Sequence, residues 1–408
     1  LLVTAAFIGP GTVLTASKAG ATYGYTLLWA VVFAVGAAIV LQEMSARLGI
    51  VTGSGLSQAI SDSFQTAWIR RSMLGLVLVA ILFGNAAYQT GNIIGAATGL
   101  ELLTGFGPKL WIYVIGAIAL AIVWIGRFDV LQYFLTTLVV IMSILFVIAA
   151  VRCGPDIGKL FSGLVPRVTA GSGWLVIGLI GTTVVPYNLF LHANAAATRW
   201  GASEHAGEPR DLAWVLRYSM WDTIMAVLIG GVITAAILVT AAVAYAGDAE
   251  KLGTARDVAE QLRPALGQWA ERLFAIGLFA AGLTSAITAP VAAGYAAAGC
   301  FGWPAQLSSA RLKLVASAVI LAGIVCGILF GSSPSQAIIT AQVANGILLP
   351  ILAGFLLIAV NRDKLMGQFK NRSWTNLLGG LVLLITLLIA AGQFNSVWSK
   401  LQALFAGG

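Results

Sequence analysis

Phe7-Ile8-Gly9-Pro10-Gly11-Thr12 interrupts an apolar stretch otherwise long enough to cross a bilayer. Proline removes a backbone donor and obstructs the preceding helical turn, and the flanking glycines loosen the chain further. In hydrocarbon such a break leaves N–H and C=O groups without water, so it persists only where the loose backbone lines a cavity. Further along the chain a second break of the same kind stands at Val184-Val185-Pro186-Tyr187-Asn188. Two interrupted apolar helices in corresponding positions of two halves point to the binding site of a secondary transporter.

The composition around these breaks fits that setting. Of 408 residues, 59% are hydrophobic and only 9% charged, with a mean hydropathy of +0.93. A soluble domain carries about 25% charged residues, so the chain is read as an all-α integral membrane protein. The net charge of +8 is read as loop Lys and Arg that orient the spans and meet anionic lipid. No basic run is interleaved with aromatics, so the bilayer and not nucleic acid is the expected partner. Cys153, Cys300 and Cys326 are scattered without metal-ligand spacing. No nucleophile–base pair or pair of catalytic acids can be named, which argues against an enzyme; no cofactor is expected. The first residue is already apolar and is not Met, so a short preceding tail is expected; no signal peptide is read.

At roughly 20 apolar residues per crossing, eleven spans are expected. They lie near 1–20, 24–46, 73–100, 110–126, 130–151, 174–198, 217–246, 268–299, 311–330, 335–359 and 375–399. With the N-terminus inside, the inner loops hold 13 basic residues: Arg47, Arg70, Arg71, Arg127, Arg199, Arg210, Arg217, Arg311, Lys313, Arg362, Lys364, Lys370 and Arg372. The outer segments hold 9: Lys109, Arg152, Lys159, Arg167, Lys251, Arg256, Arg263, Arg272 and Lys400. The bias predicts a cytoplasmic N-terminus and an extracellular C-terminus in the plasma (inner) membrane. The outer loop near 247–272 is expected to hold a short surface helix. Residues 1–151 and 174–359 then form two inverted five-helix repeats, each opening with its broken helix, and 375–399 adds a further helix. The whole of 1–408 is read as one transmembrane domain, with a monomer as the expected unit.

Several stretches carry a family likeness. Gly24-Tyr25-Thr26-Leu27-Leu28-Trp29, Leu41-Gln42 and Ser45 through Gly53 resemble the second helix and following loop of the NRAMP (natural resistance-associated macrophage protein) family of proton-coupled divalent metal transporters. Pro186-Tyr187-Asn188-Leu189-Phe190-Leu191-His192 resembles that family's Met-Pro-His-Asn-Leu-Tyr-Leu-His segment, and Gln342, Asn345 and Pro350 sit as in its tenth helix. The resemblance covers nearly the whole chain. It implies the fold named after the bacterial leucine transporter (the LeuT-type fold), with eleven or twelve helices and broken first and sixth spans. It also implies gating roles for His192, Gln89 and Asn92.

The departures from the family pattern bear on function. Its Asp-Pro-Gly-Asn signature stands here as Gly9-Pro10-Gly11-Thr12, so the metal-binding aspartate is glycine. The methionine ligand is Val185, and the following histidine is Tyr187. Where the third helix of the family carries acids that serve proton movement, Gln89-Thr90-Gly91-Asn92 carries amides. No metal-ligand set is therefore expected. A dehydrated divalent cation at the midplane with no anion nearby is very unfavourable. Carboxylates inside spans include Glu43, four residues before Arg47 and read as its ion-pair partner, and Asp222, which opens the seventh span; neither lies at a break.

The groups left at the breaks are neutral. Gly9 and Gly11 offer backbone; Thr12, Thr15, Thr182, Thr183, Tyr187, Asn188 and Gln342 offer hydroxyls and amides. Both second half-helices start at the breaks, and helix N-termini favour negative charge. Lys18, about 9 Å along the axis from Thr12, would attract anions on an outer access route. In sodium-coupled members of this fold a hydroxyl pair on the eighth helix meets first-helix carbonyls around Na⁺, and Thr284-Ser285 has that form. The sequence is thus read as a transporter of a small anion such as bicarbonate, with Na⁺ as the candidate co-transported ion. The alternative is a hydrated Mg²⁺ or Mn²⁺ carrier, since Mg²⁺ keeps its waters.

Overall fold

The computed structural model describes residues 8–126, 129–201, 211–245, 252, 254–331 and 333–406; the side chains of Asp129 and of residues beyond 393 are outside the description. Residues 1–7, the half of the first span before the break, lie outside the described residues, as do Arg127, Arg210 and Lys251 and the side chain of Lys400. The described residues form helices joined by short turns. Those that carry the spans are α1 (Pro10–Tyr23), α2 (Leu28–Thr52), α3 (Ala67–Thr104), α4 (Pro108–Ile125), α5 (Asp129–Arg152), α6 (Gly173–Thr183), α7 (Pro186–Trp200), α8 (Leu212–Tyr245), α9 (Ala270–Phe301), α10 (Ala310–Phe330), α11 (Pro334–Val360) and α12 (Ser373–Ala406).

Ten runs among the described residues are long and apolar enough to cross a membrane. The expected eleven become ten because α1 and α2 form one run, Pro10–Thr52. No loop separates them: the 3₁₀ turn Gly24–Leu27 links them directly, and Gly24 takes φ 58° at the corner. That left-handed backbone is open to glycine at no steric cost. A second difference concerns α3, which starts at Ala67 and runs for 38 residues. Arg70 and Arg71, expected in a loop, therefore lie on its opening turns.

The sixth span is broken as its sequence predicts. α6 ends at Thr183, and Val184 (φ −102°, ψ 69°) and Val185 (φ −71°, ψ 120°) are non-helical before Pro186 restarts the helix as α7. In the first span Gly9 is extended (φ −99°, ψ 175°) and Pro10 starts α1. Proline suits both starts, since a helix's first residue has no use for an N–H and its fixed φ is already helical.

Small residues bring the helices close, as membrane packing without a hydrophobic driving force requires. Gly95 of α3 receives the ring of Pro10, and a methyl group at Gly181 of α6 would sit on the carbonyl of Gln342 in α11. The broken helices are thereby wedged between α3 on one side and α11 on the other. The Glu43–Arg47 pair forms at 2.8 Å, and Arg47 also donates to Phe369 O and Asn371 Oδ1 beyond α11.

The described part of the 247–272 segment holds two short helices, Ala255–Glu260 and Arg263–Leu266, in place of the expected single surface helix. Thr254 and Asp257 close a capping box on the first. One face of the segment is buried: Val258, Ala259 and Leu262 are shielded, and Gln261 Nε2 donates to Ser17 Oγ of α1 at 2.8 Å.

Candidate functional site

The half-helices α1 and α7 each begin at a break, with no side-chain cap on either N-terminus. Pro10 and Pro186 carry no N–H and the Asn188 N–H bonds Val185 O at 3.0 Å, so each first turn offers few open amides. Across the breaks, the hydroxyls of Thr12 and Thr182 bond at 2.8 Å, both buried. Gln342 enters from α11: its carboxamide lies directly over Gly11, where any Cβ would collide with it. Asn188 is buried, and neither atom of its amide has a hydrogen-bond partner; Thr15 Oγ1, Tyr187 Oη and Gln342 Oε1 are likewise unpartnered. Buried polar groups without partners are costly, so their concentration around two helix breaks marks a place built to meet a polar ligand.

Two cavities approach this layer from opposite ends. One, of about 1070 Å³, is lined by Leu14, Lys18, Glu101, Arg256 and Ile339 among others. Lys18 is half-buried on its wall and donates to Leu252 O at 3.0 Å, while Arg256 pairs with Glu271 at 2.9 Å. The other cavity, of about 220 Å³, starts at Asn188 and runs past Gln42, His192, Arg199 and Asp222. His192 Nδ1 lies 2.8 Å from Gln42 Oε1. Between the two cavities Thr12, Thr15, Thr182, Tyr187 and Gln342 are all buried.

Some of the expected site residues stand elsewhere. Thr183 bonds Leu179 O at 2.8 Å, so its proton is spent on its own helix. Thr284 does the same with Ala280 O, which uses its proton and leaves its oxygen lone pairs for a cation such as Na⁺. Gln89 donates to Ala286 O at 2.9 Å and packs its stem against Gly323 of α10, behind the breaks and not in them. Asn92 is buried, with Nδ2 unpartnered.

Tyr88 is the residue that sequence reasoning missed. Its ring meets that of Tyr187 edge-on, centroids 5.2 Å apart, and its hydroxyl faces those of Tyr187 and Ser285. A Cβ at Gly9 would stand 3.2 Å from Tyr88 Oη and 3.5 Å from Ser285 Oγ. The only sequence signal was a large phenol one residue before Gln89 in a run of small residues. Periodicity alone could not aim it at the first span.

Electrostatically the centre is neutral. Among the described residues no group of three or more His, Cys, Asp or Glu side chains could hold a metal ion. Lys18, Glu101, His192 and Asp222 stand along the two cavities and not at the breaks.

Twin broken helices, a buried polar layer between them and cavities closing on it from both ends define a secondary transporter. Comparison with known proteins gives its lineage. The family model described as natural resistance-associated macrophage protein-like matches residues 1–394, and the chain belongs to the NRAMP family. It is 29% identical to the divalent metal cation transporter MntH of Deinococcus radiodurans, over 95% of this chain and 87% of that protein. It is also 29% identical to the MntH of Yersinia pestis, over 94% and 90%. The fold matches a crystal structure of the Eremococcus coleocola manganese transporter with a TM-score of 0.78 at 22% identity, covering 97% of this chain and 85% of that one. Mhp1, a nucleobase-cation-symport-1 family transporter, shares the fold at a TM-score of 0.58 and 14% identity.

Proposed function

We propose that this chain carries a small, singly charged anion, with bicarbonate as the substrate to test first. The observation that carries this reading is the donor set. Two uncapped helix N-termini, hydroxyls and amides meet at the breaks, and no carboxylate stands there among the described residues. The partial positive charge of such helix ends favours an anion, and Lys18 on the larger cavity adds to it. The absence of an arginine clamp at the breaks argues against a phosphate-like ion. Gln89 and Asn92 cannot relay protons as acids would, which supports Na⁺ as the driving ion. Basic residues by loop support a cytoplasmic N-terminus in the plasma membrane, with the Lys18 cavity outside.

A second reading has its own support. Family membership and the names of the MntH relatives speak for a divalent cation, more directly than any comparison speaks for an anion. Such a cation would have to cross as hydrated Mg²⁺ or Mn²⁺, held by amides, hydroxyls and carbonyls. Against it stands the desolvation cost of a doubly charged ion in a centre without an anion.

Uptake into proteoliposomes of the purified protein decides between them. Bicarbonate, Mn²⁺ and Mg²⁺ are each offered with and without a Na⁺ gradient. Sodium-stimulated bicarbonate flux without metal flux is the expected result; metal flux without bicarbonate flux overturns the anion reading.

A further inference from the structure

The geometry points to Tyr88 as a substrate-reading residue: its phenol takes the space beside Gly9 and donates a hydrogen bond to an oxyanion bound at the breaks. This rests on the anion reading above and extends it to a group on α3.

Gly9 brings no side chain to the first break, and the space its Cβ would open onto is held by Tyr88 Oη at 3.2 Å, with Ser285 Oγ next at 3.5 Å. Both are buried, Tyr88 to 1% and Ser285 to 1% exposure. Three hydroxyls from three helices, those of Tyr88, Tyr187 and Ser285, face one another here, and Thr288 faces Tyr187. Yet Tyr187 Oη and Ser285 Oγ make no hydrogen bond of good geometry with any of them. The hydroxyls are near enough to interact and still hold unused capacity, which is how a site looks when its bonds are reserved for a ligand.

The sign of that ligand follows from the surroundings. A hydroxyl can turn its proton to an anion or its lone pairs to a cation. Here the neighbouring charges are the positive ends of α1 and α7, and among the described residues no acid is placed to hold a cation. The hydroxyls therefore point protons inward. Hydrogen bonds to a charged partner are the strong class, so one phenol has a measurable share in affinity.

Tyr88→Phe tests this, because it keeps the ring that packs on Tyr187 and deletes only the hydroxyl. Radiolabelled bicarbonate uptake is measured in proteoliposomes for the wild type, Tyr88→Phe and Ser285→Ala, with thermal unfolding in detergent to check that each variant is folded. The expected result is a rise in KM of roughly ten- to a hundredfold for Tyr88→Phe, the usual range for one bond to a charged group, with Vmax little changed. Ser285→Ala is expected to raise KM less. Wild-type uptake with an unchanged KM in folded Tyr88→Phe overturns the role of Tyr88 and leaves the anion reading standing. Mn²⁺ uptake without bicarbonate uptake in the wild type overturns both.

Discussion

The two breaks differ in what they bring to the site. The first supplies little beyond the Thr12 hydroxyl: Gly9 and Gly11 flank its proline, and the rest of its polar surface comes from neighbours, Tyr88 of α3 and Gln342 of α11. The second supplies its own, with Thr182 before the gap and Tyr187 and Asn188 after it, all buried. The difference teaches that a binding layer can be emptied on one helix and refilled from helices packed against it. The substituting groups are neutral, so the refilled layer differs in charge and not only in shape from one built on an acid at the first break.

The sharpest way to break this comparison is to give the first break a side chain of its own. Gly9→Asp puts a carboxylate against Tyr88 Oη and Ser285 Oγ, and burying an unpaired charge there is costly. Bicarbonate uptake is expected to fall by more than about a hundredfold; uptake that survives in the folded variant would mean that the first break does not face the ion. Gly181→Ala probes the packing that holds the two breaks together. Its methyl meets the Gln342 carbonyl, and overpacking of this kind costs about 1–3 kcal/mol, read as a lowered unfolding temperature in detergent. On the second break, Asn188→Leu removes both unpartnered amide atoms at similar volume; roughly a tenfold rise in KM is expected from one lost ligand bond, and no change would move the site away from α7. The smallest effect belongs to Thr12→Val, which deletes the 2.8 Å bond to Thr182 across the breaks. About 0.5–1.5 kcal/mol of stability is expected to go with it, and the Thr12→Val/Thr182→Val double variant should lose little more than the single one if the pair acts as a unit.

Much of the fold was legible because bilayer physics writes itself along a chain. Apolar runs, prolines inside them and loop Lys and Arg located most spans, the break in the sixth and the helix start at Pro10 to within about a turn or two. The direct α1–α2 corner was harder, since Gly24 reads equally as a loop glycine or as the corner of a tight turn. Within the site, the residues at the breaks were legible and their directions were not. Thr183 looked like a donor to substrate, but its proton turns back on its own helix, as does that of Thr284, a choice made by side-chain rotamer and invisible to spacing. Gln89 and Asn92 were legible as amides, while the place of Gln89 behind the breaks depends on how α3 is rotated about its axis. Tyr88 lies one residue from Gln89 and faces the site for the same reason.

The bonds from Ser17 and Lys18 to the segment around 252–261 have a mechanical consequence. They fasten the C-terminal half of α1 to a piece of chain more than 230 residues further on, and that piece forms part of the rim of the larger cavity. A tilt of α1 is then a lever stroke with a flap at its tip. A shift of the floor would then be passed to the doorway through these contacts, which lie away from the breaks.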